Sequence, residues 1–155
     1  MQTSFTENQL KDKDNKTSET IIRKCVHCGM CNATCPTYGI NGEELEGPRG
    51  RIYLIKDMLE NKKPATKQIA KHIDSCLSCY SCMTTCPSGV NYMHLIDHGR
   101  NYVEETYKRP FFDRLFRNIL SFVLPRPKVF LLMALSSKLI KPFSFLFPKF
   151  LKNAI

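Results

Sequence analysis

No stretch of this 155-residue chain is apolar for long enough to cross a bilayer as a single helix. The longest uninterrupted apolar run, Val129 to Leu135, has seven residues, against the roughly 20 that a spanning helix needs. The amino terminus, MQTSFTENQLKDKDNKTSET, lacks the apolar core of a signal peptide, which argues against export. Cysteines kept out of an oxidising compartment stay as thiols, so a disulfide framework is not expected and a cytoplasmic location is. Also missing is any groove-reading motif or RNP-type aromatic pattern. The chain is basic, with 23 Lys and Arg against 14 Asp and Glu, a net charge of +9 and a pI near 9.2. That charge is spread along the sequence rather than gathered, so no nucleic acid is expected, and an acidic partner protein or an anionic membrane surface explains it more simply. Finally, no cysteine lies outside two short runs.

Those runs are CVHCGMCNATCP, from Cys25 to Pro36, and CLSCYSCMTTCP, from Cys76 to Pro87, related by a constant offset of 51 residues. Each reads C-x2-C-x2-C-x3-C-P, the bacterial ferredoxin signature of a [4Fe-4S] cluster. Thiolates at i, i+3 and i+6 let one tight loop wrap a cubane, while the fourth cysteine leaves in another direction. Pro36 and Pro87 fix φ and remove an N–H where the chain departs. In two-cluster ferredoxins the fourth cysteine of each run ligates the other run's cluster. The expected ligand sets are therefore Cys25, Cys28, Cys31 and Cys86 for one cluster, and Cys76, Cys79, Cys82 and Cys35 for the other. Two [4Fe-4S] clusters use all eight cysteines, and with eight thiolates and two 2+ cores the net charge falls to about +5. The runs also share Thr34/Thr85 and Pro36/Pro87, which reads as an internal duplication.

Zinc sites usually pair two short C-x2-C knuckles across a spacer, so four cysteines in eleven residues followed by Pro do not fit a structural zinc module. A cluster-bearing sensor or nucleic-acid-associated protein is motivated by charge alone. Gly29 permits close backbone approach to a cluster, whereas its counterpart is Tyr80. His27 reads as a loop residue before it reads as a tuner of potential. Arg49 and Arg51, in Gly47-Pro48-Arg49-Gly50-Arg51, read equally as the start of a helix and as contacts to a cluster edge or an acidic partner.

Three segments are expected. Residues 1–20 are polar and aperiodic, which reads as a flexible leader. Residues 21–108 hold both loops. Between them, Ile52, Ile55, Met58 and Leu59 recur at helical spacing until Asn61 and Pro64, and a second helix starts near Thr66 with Ile69, Ala70 and Ile73 on one face. After Ser88-Gly89 a helix runs from about Asn91 to Tyr107, its core face formed by Leu95, Ile96, Gly99, Tyr102, Val103 and Thr106. Forty residues between Cys35 and Cys76 with little β-branched alternation predict an all-α, helical ferredoxin rather than the short-spacer β type. Residues 109–155 form a basic, apolar arm with one amphipathic helix over FFDRLFRNILSFVL, a second over VFLLMALSSKLI, and a Phe-rich tail punctuated by Pro142 and Pro148. So much exposed-face phenylalanine suggests an outside partner, a protein before a membrane surface.

With both loops, the GPRGR turn and the following helix in view, the sequence resembles the iron-sulfur subunit of glycolate oxidase. CVHCGMCNATCPTY, EGPRGRIYLIKDMLE and HIDSCLSCYSCMTTCPSGVNYMHLIDHGR are similar to that family's amino-terminal ferredoxin region, over residues 22 to about 108. The resemblance implies an electron-transfer subunit working beside flavin-binding oxidase subunits that oxidise glycolate or a related 2-hydroxy acid, with electrons passed toward a respiratory acceptor. No substrate catalysis is expected in this chain alone. Members of that family continue into cysteine-rich CCG-type domains, whereas this sequence has no cysteine after Cys86, so it reads as a truncated or a split version, with a separate CCG-domain polypeptide as the partner in the second case. The implied location is cytoplasmic, or peripheral on the cytoplasmic face of the inner membrane. The alternative is a ferredoxin-type subunit of a heterodisulfide reductase-like, succinate dehydrogenase-like or anaerobic glycerol-3-phosphate dehydrogenase complex.

Overall fold

The structure, a computed structural model, describes the backbone of residues 1–140 and the side chains of residues 1–135. The Phe-rich tail around Pro142 and Pro148 lies outside the described residues. Among the described residues there is no strand, in keeping with the all-α expectation. Two compact units are present, residues 1–108 and 109–155.

The first unit begins with two helices where a flexible leader was expected: α1 (Glu7–Leu10) and α2 (Lys13–Lys24). Asp12 caps α2 by accepting hydrogen bonds from the Asp14 and Asn15 amides, and Arg23 and Lys24 sit in its last turn, where cations suit the helix dipole. Ser18, Ile21 and Ile22 form its buried stripe. Buried Gln9 donates to the Leu59 and Glu60 carbonyls, closing the far end of a later helix. This segment is held by side-chain hydrogen bonds more than by apolar periodicity, so its polar composition imitates a leader.

The centre is α4 (Pro48–Asn61), with Pro at its first position, burying Ile52, Ile55, Met58 and Leu59 as their spacing predicts. It leads through Lys62, in the left-handed region, to α5 (Lys67–Asp74), which is capped by Thr66 and buries Ala70, His72 and Ile73. The core is completed by α7 (Tyr92–Thr106), capped by Asn91, which buries Tyr92, Leu95, Ile96, Gly99 and Val103 and packs on α2, α4 and α5. Two short helices, α3 (Pro36–Asn41) and α6 (Ser81–Thr85), follow or lie within the cysteine runs, and 3-10 turns occupy Met30–Asn32 and Glu44–Glu46.

Gly50 is required by close approach. A Cβ there would overlap the Glu44 carbonyl oxygen, because the start of α4 lies directly on the Glu44–Glu46 turn. Ala normally favours a helix over Gly by about 1 kcal/mol, but a clash with backbone cannot be relieved by a rotamer change. Gly50→Ala is therefore expected to destabilise by roughly 1–3 kcal/mol, read as a lower thermal midpoint of the helical circular dichroism signal.

The second unit contains α8 (Phe111–Val123) and α9 (Pro127–Ile140). On α8, Phe111, Phe112, Leu115, Phe116 and Ile119 form an exposed apolar stripe, and Arg117 pairs with Asp113 at 3.2 Å. Among the described residues no single helix is long and apolar enough to cross a membrane; α8 and the start of α9 meet at a bend of 110°.

Candidate metal centre

Each cysteine run becomes a loop by the same backbone device. His27 (φ 59°) and Gly29 (φ 84°) adopt the left-handed region in the first run, and Ser78 (φ 51°) and Tyr80 (φ 56°) do so at the equivalent positions of the second. Alternating right- and left-handed residues turn successive N–H groups toward one concave side, which makes an anion-binding nest. Gly29 advertises this geometry in the sequence. Tyr80 does not, and holding a non-glycine there costs roughly 1–2 kcal/mol. The loops face each other: α6 packs on the Met30–Asn32 turn, and the equivalent threonines meet, with the Thr85 hydroxyl donating to Thr34 Oγ1 at 3.1 Å. Contact between equivalent residues is what a local two-fold axis between duplicated halves produces.

Two cavities flank that contact. The first, about 440 Å³ including its open part, is lined by Cys25, Cys28, Cys31 and Cys86, with Cys82 also reaching it. The second, about 300 Å³, is lined by Cys35, Cys76, Cys79 and Cys82. Pro48 and Tyr92 line both and form the wall between them. Each cavity thus holds the first three cysteines of one run and the fourth of the other. Cys28 and Cys79 are exposed, beside the exposed apolar residues Val26 and Leu77, whereas Cys25 and Cys82 are buried.

The thiols act on one another both within and between the cavities. Burial pushes the Cys31 thiol up to about 11, helped by nearby Cys25, Cys86 and Cys28. Burial likewise pushes Cys82 up to about 12, with Cys31, Cys76, Cys35 and Cys79 adding to it. Cys79, at the surface, is lowered by hydrogen bonds from Ser81. Crowded, desolvated thiols resist ionising together, and a multi-iron core supplies the positive charge that reverses this. Four thiols around each cavity, above a nest of N–H groups, fit a [4Fe-4S] cluster.

The GPRGR turn supplies two different arginines. Arg49, one-third exposed, pairs with Glu44 and lies over Gly29 at the first cavity. Arg51 is 1% exposed, so it faces no partner surface. Its Nη2 donates to Glu46 Oε2 (2.9 Å), Ser75 Oγ (3.0 Å) and Thr37 Oγ1 (3.1 Å), its Nε to the His72 carbonyl (2.7 Å), and its Nη1 points at Cys35 Sγ, 4.0 Å away. Burial opposes the Glu46 carboxylate, but hydrogen bonds from Ser75 and His72 and the Arg51 charge outweigh it and hold the group below its usual range. His72 Nδ1 lies 2.7 Å from Glu46 Oε1. Tyr92, 3% exposed, donates its hydroxyl to Cys76 Sγ at 3.8 Å. Sequence reasoning passed over Thr37, Glu46, His72, Ser75 and Tyr92, and no local signal marks them, because they converge from four segments. His27 lines the first cavity, tilted against Tyr53 with ring centroids 6.1 Å apart.

Residues 21–90 match the family described as 4Fe-4S dicluster domain. The chain is 48% identical over 143 residues to the glycolate oxidase iron-sulfur subunit of Escherichia coli (strain K12), covering 92% of this chain and 35% of that protein. It is 32% identical over 117 residues to the probable glycolate oxidase iron-sulfur subunit of Bacillus subtilis (strain 168), covering 72% of this chain and 26% of that one. Similarity to the succinate dehydrogenase iron-sulfur subunit of Paracoccus denitrificans is lower, 28% over 76 residues, or 45% of this chain and 29% of the relative. The chain therefore spans about a third or less of the length of the curated relatives it matches. No solved structure matches it. Paired cysteine loops on a helical frame, and similarity to glycolate oxidase iron-sulfur subunits along nearly the whole chain, lead to one assignment: residues 21–90 belong to the 4Fe-4S dicluster domain family.

Proposed function

We propose that this chain is the electron-relay portion of a glycolate oxidase-type complex, with one cluster held by Cys25, Cys28, Cys31 and Cys86 and the other by Cys76, Cys79, Cys82 and Cys35. The observation that carries it is the exchange of the fourth cysteines between the two cavities. A bound [4Fe-4S] cluster supplies a one-electron store that needs no bond to be made or broken. The loop N–H groups turned inward by His27, Gly29, Ser78 and Tyr80 favour the negative charge of the sulfur atoms. Exposed Cys28 and Cys79 bring each site to the surface, while Val26 and Leu77 beside them limit water and offer a docking rim.

The donor is a flavin-binding subunit that oxidises glycolate or a related 2-hydroxy acid, and the acceptor is respiratory. The higher identity to glycolate oxidase subunits than to a succinate dehydrogenase subunit favours this reading over the alternative complexes. A cysteine-rich CCG-type polypeptide is the further partner, and the exposed stripe of α8 offers it an anchor. The complex works in the cytoplasm or on the cytoplasmic face of the inner membrane. We further take residues 21–108 as the electron-carrying domain and 109–155 as its connector.

Anaerobically purified protein is expected to be brown and to carry about eight irons per chain. Glycolate should bleach it only when the flavin subunits are added. Colourless protein with stoichiometric zinc, or loaded protein that the flavin subunits and glycolate leave oxidised, would overturn the assignment.

A further inference from the structure

The two sites are built from a duplication, and the left-handed positions of their loops repeat, His27 with Ser78 and Gly29 with Tyr80. The polar side chains do not repeat. At the second site Arg51 directs Nη1 at Cys35 Sγ and the Tyr92 hydroxyl donates to Cys76 Sγ, while the Thr37 hydroxyl, 3.2 Å from Cys35 Sγ, is spent on the Glu46 carbonyl, a backbone acceptor itself 3.7 Å from that sulfur. At the first site the side-chain contact is of opposite polarity. Asn32 Oδ1, an acceptor, lies 3.9 Å from Cys31 Sγ. Its orientation is fixed, since Nδ2 donates to Glu44 and Oδ1 accepts from the Arg49 amide. Among the described residues no side chain donates to Cys86, the counterpart of Cys35.

The Met1 ammonium donates to the Cys25 carbonyl as Arg100 does to the equivalent Cys76 carbonyl, which leaves Arg49 as the unmatched cation of the first site. It is one-third exposed and paired with an exposed carboxylate, so solvent screens it, whereas Arg51 is almost fully enclosed and its Nη1 is aimed at sulfur. Donors to the sulfurs stabilise the reduced, more negative form and raise a cluster's potential, and an acceptor dipole does the reverse.

Given the crossed ligand sets proposed above, we infer that Arg51 and Tyr92 make the site of Cys76, Cys79, Cys82 and Cys35 the higher-potential member of the pair. An electron entering the chain rests there, at the second loop, and the site of Cys25, Cys28, Cys31 and Cys86 fills only afterwards. Arg51 and Tyr92 act through the ligating sulfurs and are positioning residues. Each site gains a single electron from an external reductant, which is a chemical one such as dithionite in the test and a reduced flavin in the proposed complex. No bond breaks and no leaving group departs.

The test is a redox titration of the full, loaded chain followed by electron paramagnetic resonance, for the unaltered protein and for Tyr92→Phe and Arg51→Lys. Tyr92→Phe removes one hydroxyl and keeps the ring that walls the cavities. Arg51→Lys keeps the charge and loses the guanidinium fork. In both variants the higher midpoint should fall while the lower stays in place. The expected change is roughly tenfold in the partition of the first electron, about 59 mV for a one-electron couple. A fall in the lower midpoint, or no shift in either, overturns the inference. If one variant fails to load, the other decides. An iron content far from about eight per chain in the unaltered protein would instead sink the two-cluster reading itself.

Discussion

Cys86→Ala protein, isolated without oxygen, is expected to retain about four irons per chain and to lose the same paramagnetic signal that Cys28→Ala loses. Cys86 belongs to the second run in sequence, yet it lines the cavity of Cys25, Cys28 and Cys31 and is among the groups that raise the Cys31 thiol. Cys35→Ala should behave reciprocally and share its lost signal with Cys79→Ala. The comparison needs no prior assignment of the two signals, because Cys28 and Cys79 each lie well inside one run. A Cys86→Ala spectrum matching that of Cys79→Ala would mean that each run keeps its own fourth cysteine. The crossed arrangement also predicts cooperative loss on prolonged exposure to air, since each cluster ties the two loops together and the metal-ligand bonds contribute to folding directly.

Arg51→Met is the second change with a large expected effect. It leaves the Glu46 carboxylate, 2% exposed, without the Arg51 guanidinium and takes a donor from the Ser75 and Thr37 hydroxyls, which keep their own bonds to Glu46. Breaking a buried pair by removing one partner typically costs about 3–5 kcal/mol, whereas replacing both partners is far milder. For a domain of 60–100 residues each kcal/mol moves the midpoint by about 4–8 °C. The thermal midpoint for loss of visible absorbance should therefore fall by tens of degrees in Arg51→Met. Arg51→Met combined with Glu46→Gln should recover a clear part of that fall. Equal losses in the single and double variants would show that the ion pair is not what stabilises this corner. The pair's value then lies in fixing the Glu44–Glu46 turn, the end of α5 and Cys35 in one arrangement.

Several features were legible without coordinates because the physics that sets them is local. The buried faces of α4 and α7 follow the 3.6-residue spacing of Ile52, Ile55, Met58 and Leu59 and of Leu95, Ile96, Gly99 and Val103, and the helix starts near Thr66 and Asn91 stand where the sequence puts them. The leader was misread for an equally physical reason. Residues 7–20 bury little apolar surface, and their order comes from the Asp12 cap, the Gln9 bonds to the end of α4 and a 2.7 Å contact between Ser18 Oγ and His98 Nδ1, with Ile21 and Ile22 anchoring the helix just beyond. Composition does not report such partners, which lie 50 to 80 residues away. Arg51 was left between two readings because its neighbour Arg49 looks the same in one dimension. About half a helical turn separates them and places Arg49 at a solvated rim and Arg51 inside a polar knot.

By itself the sequence determined the chemistry: cysteines at i, i+3 and i+6 share the one loop that contains them, so the spacing alone points to the cofactor and to three candidate ligands at each site. Tertiary structure decided the company those sulfurs keep. Packing of α6 on the Met30–Asn32 turn brings each fourth cysteine to the opposite cavity, and the meeting of α4 and α7 with the second site aims side-chain donors, Arg51 and Tyr92, at Cys35 and Cys76, whereas the side chain beside Cys31 is an acceptor. A duplicated local motif carries no information about which of its copies a distant arginine or tyrosine will approach, and that asymmetry arises only when the helices close around it.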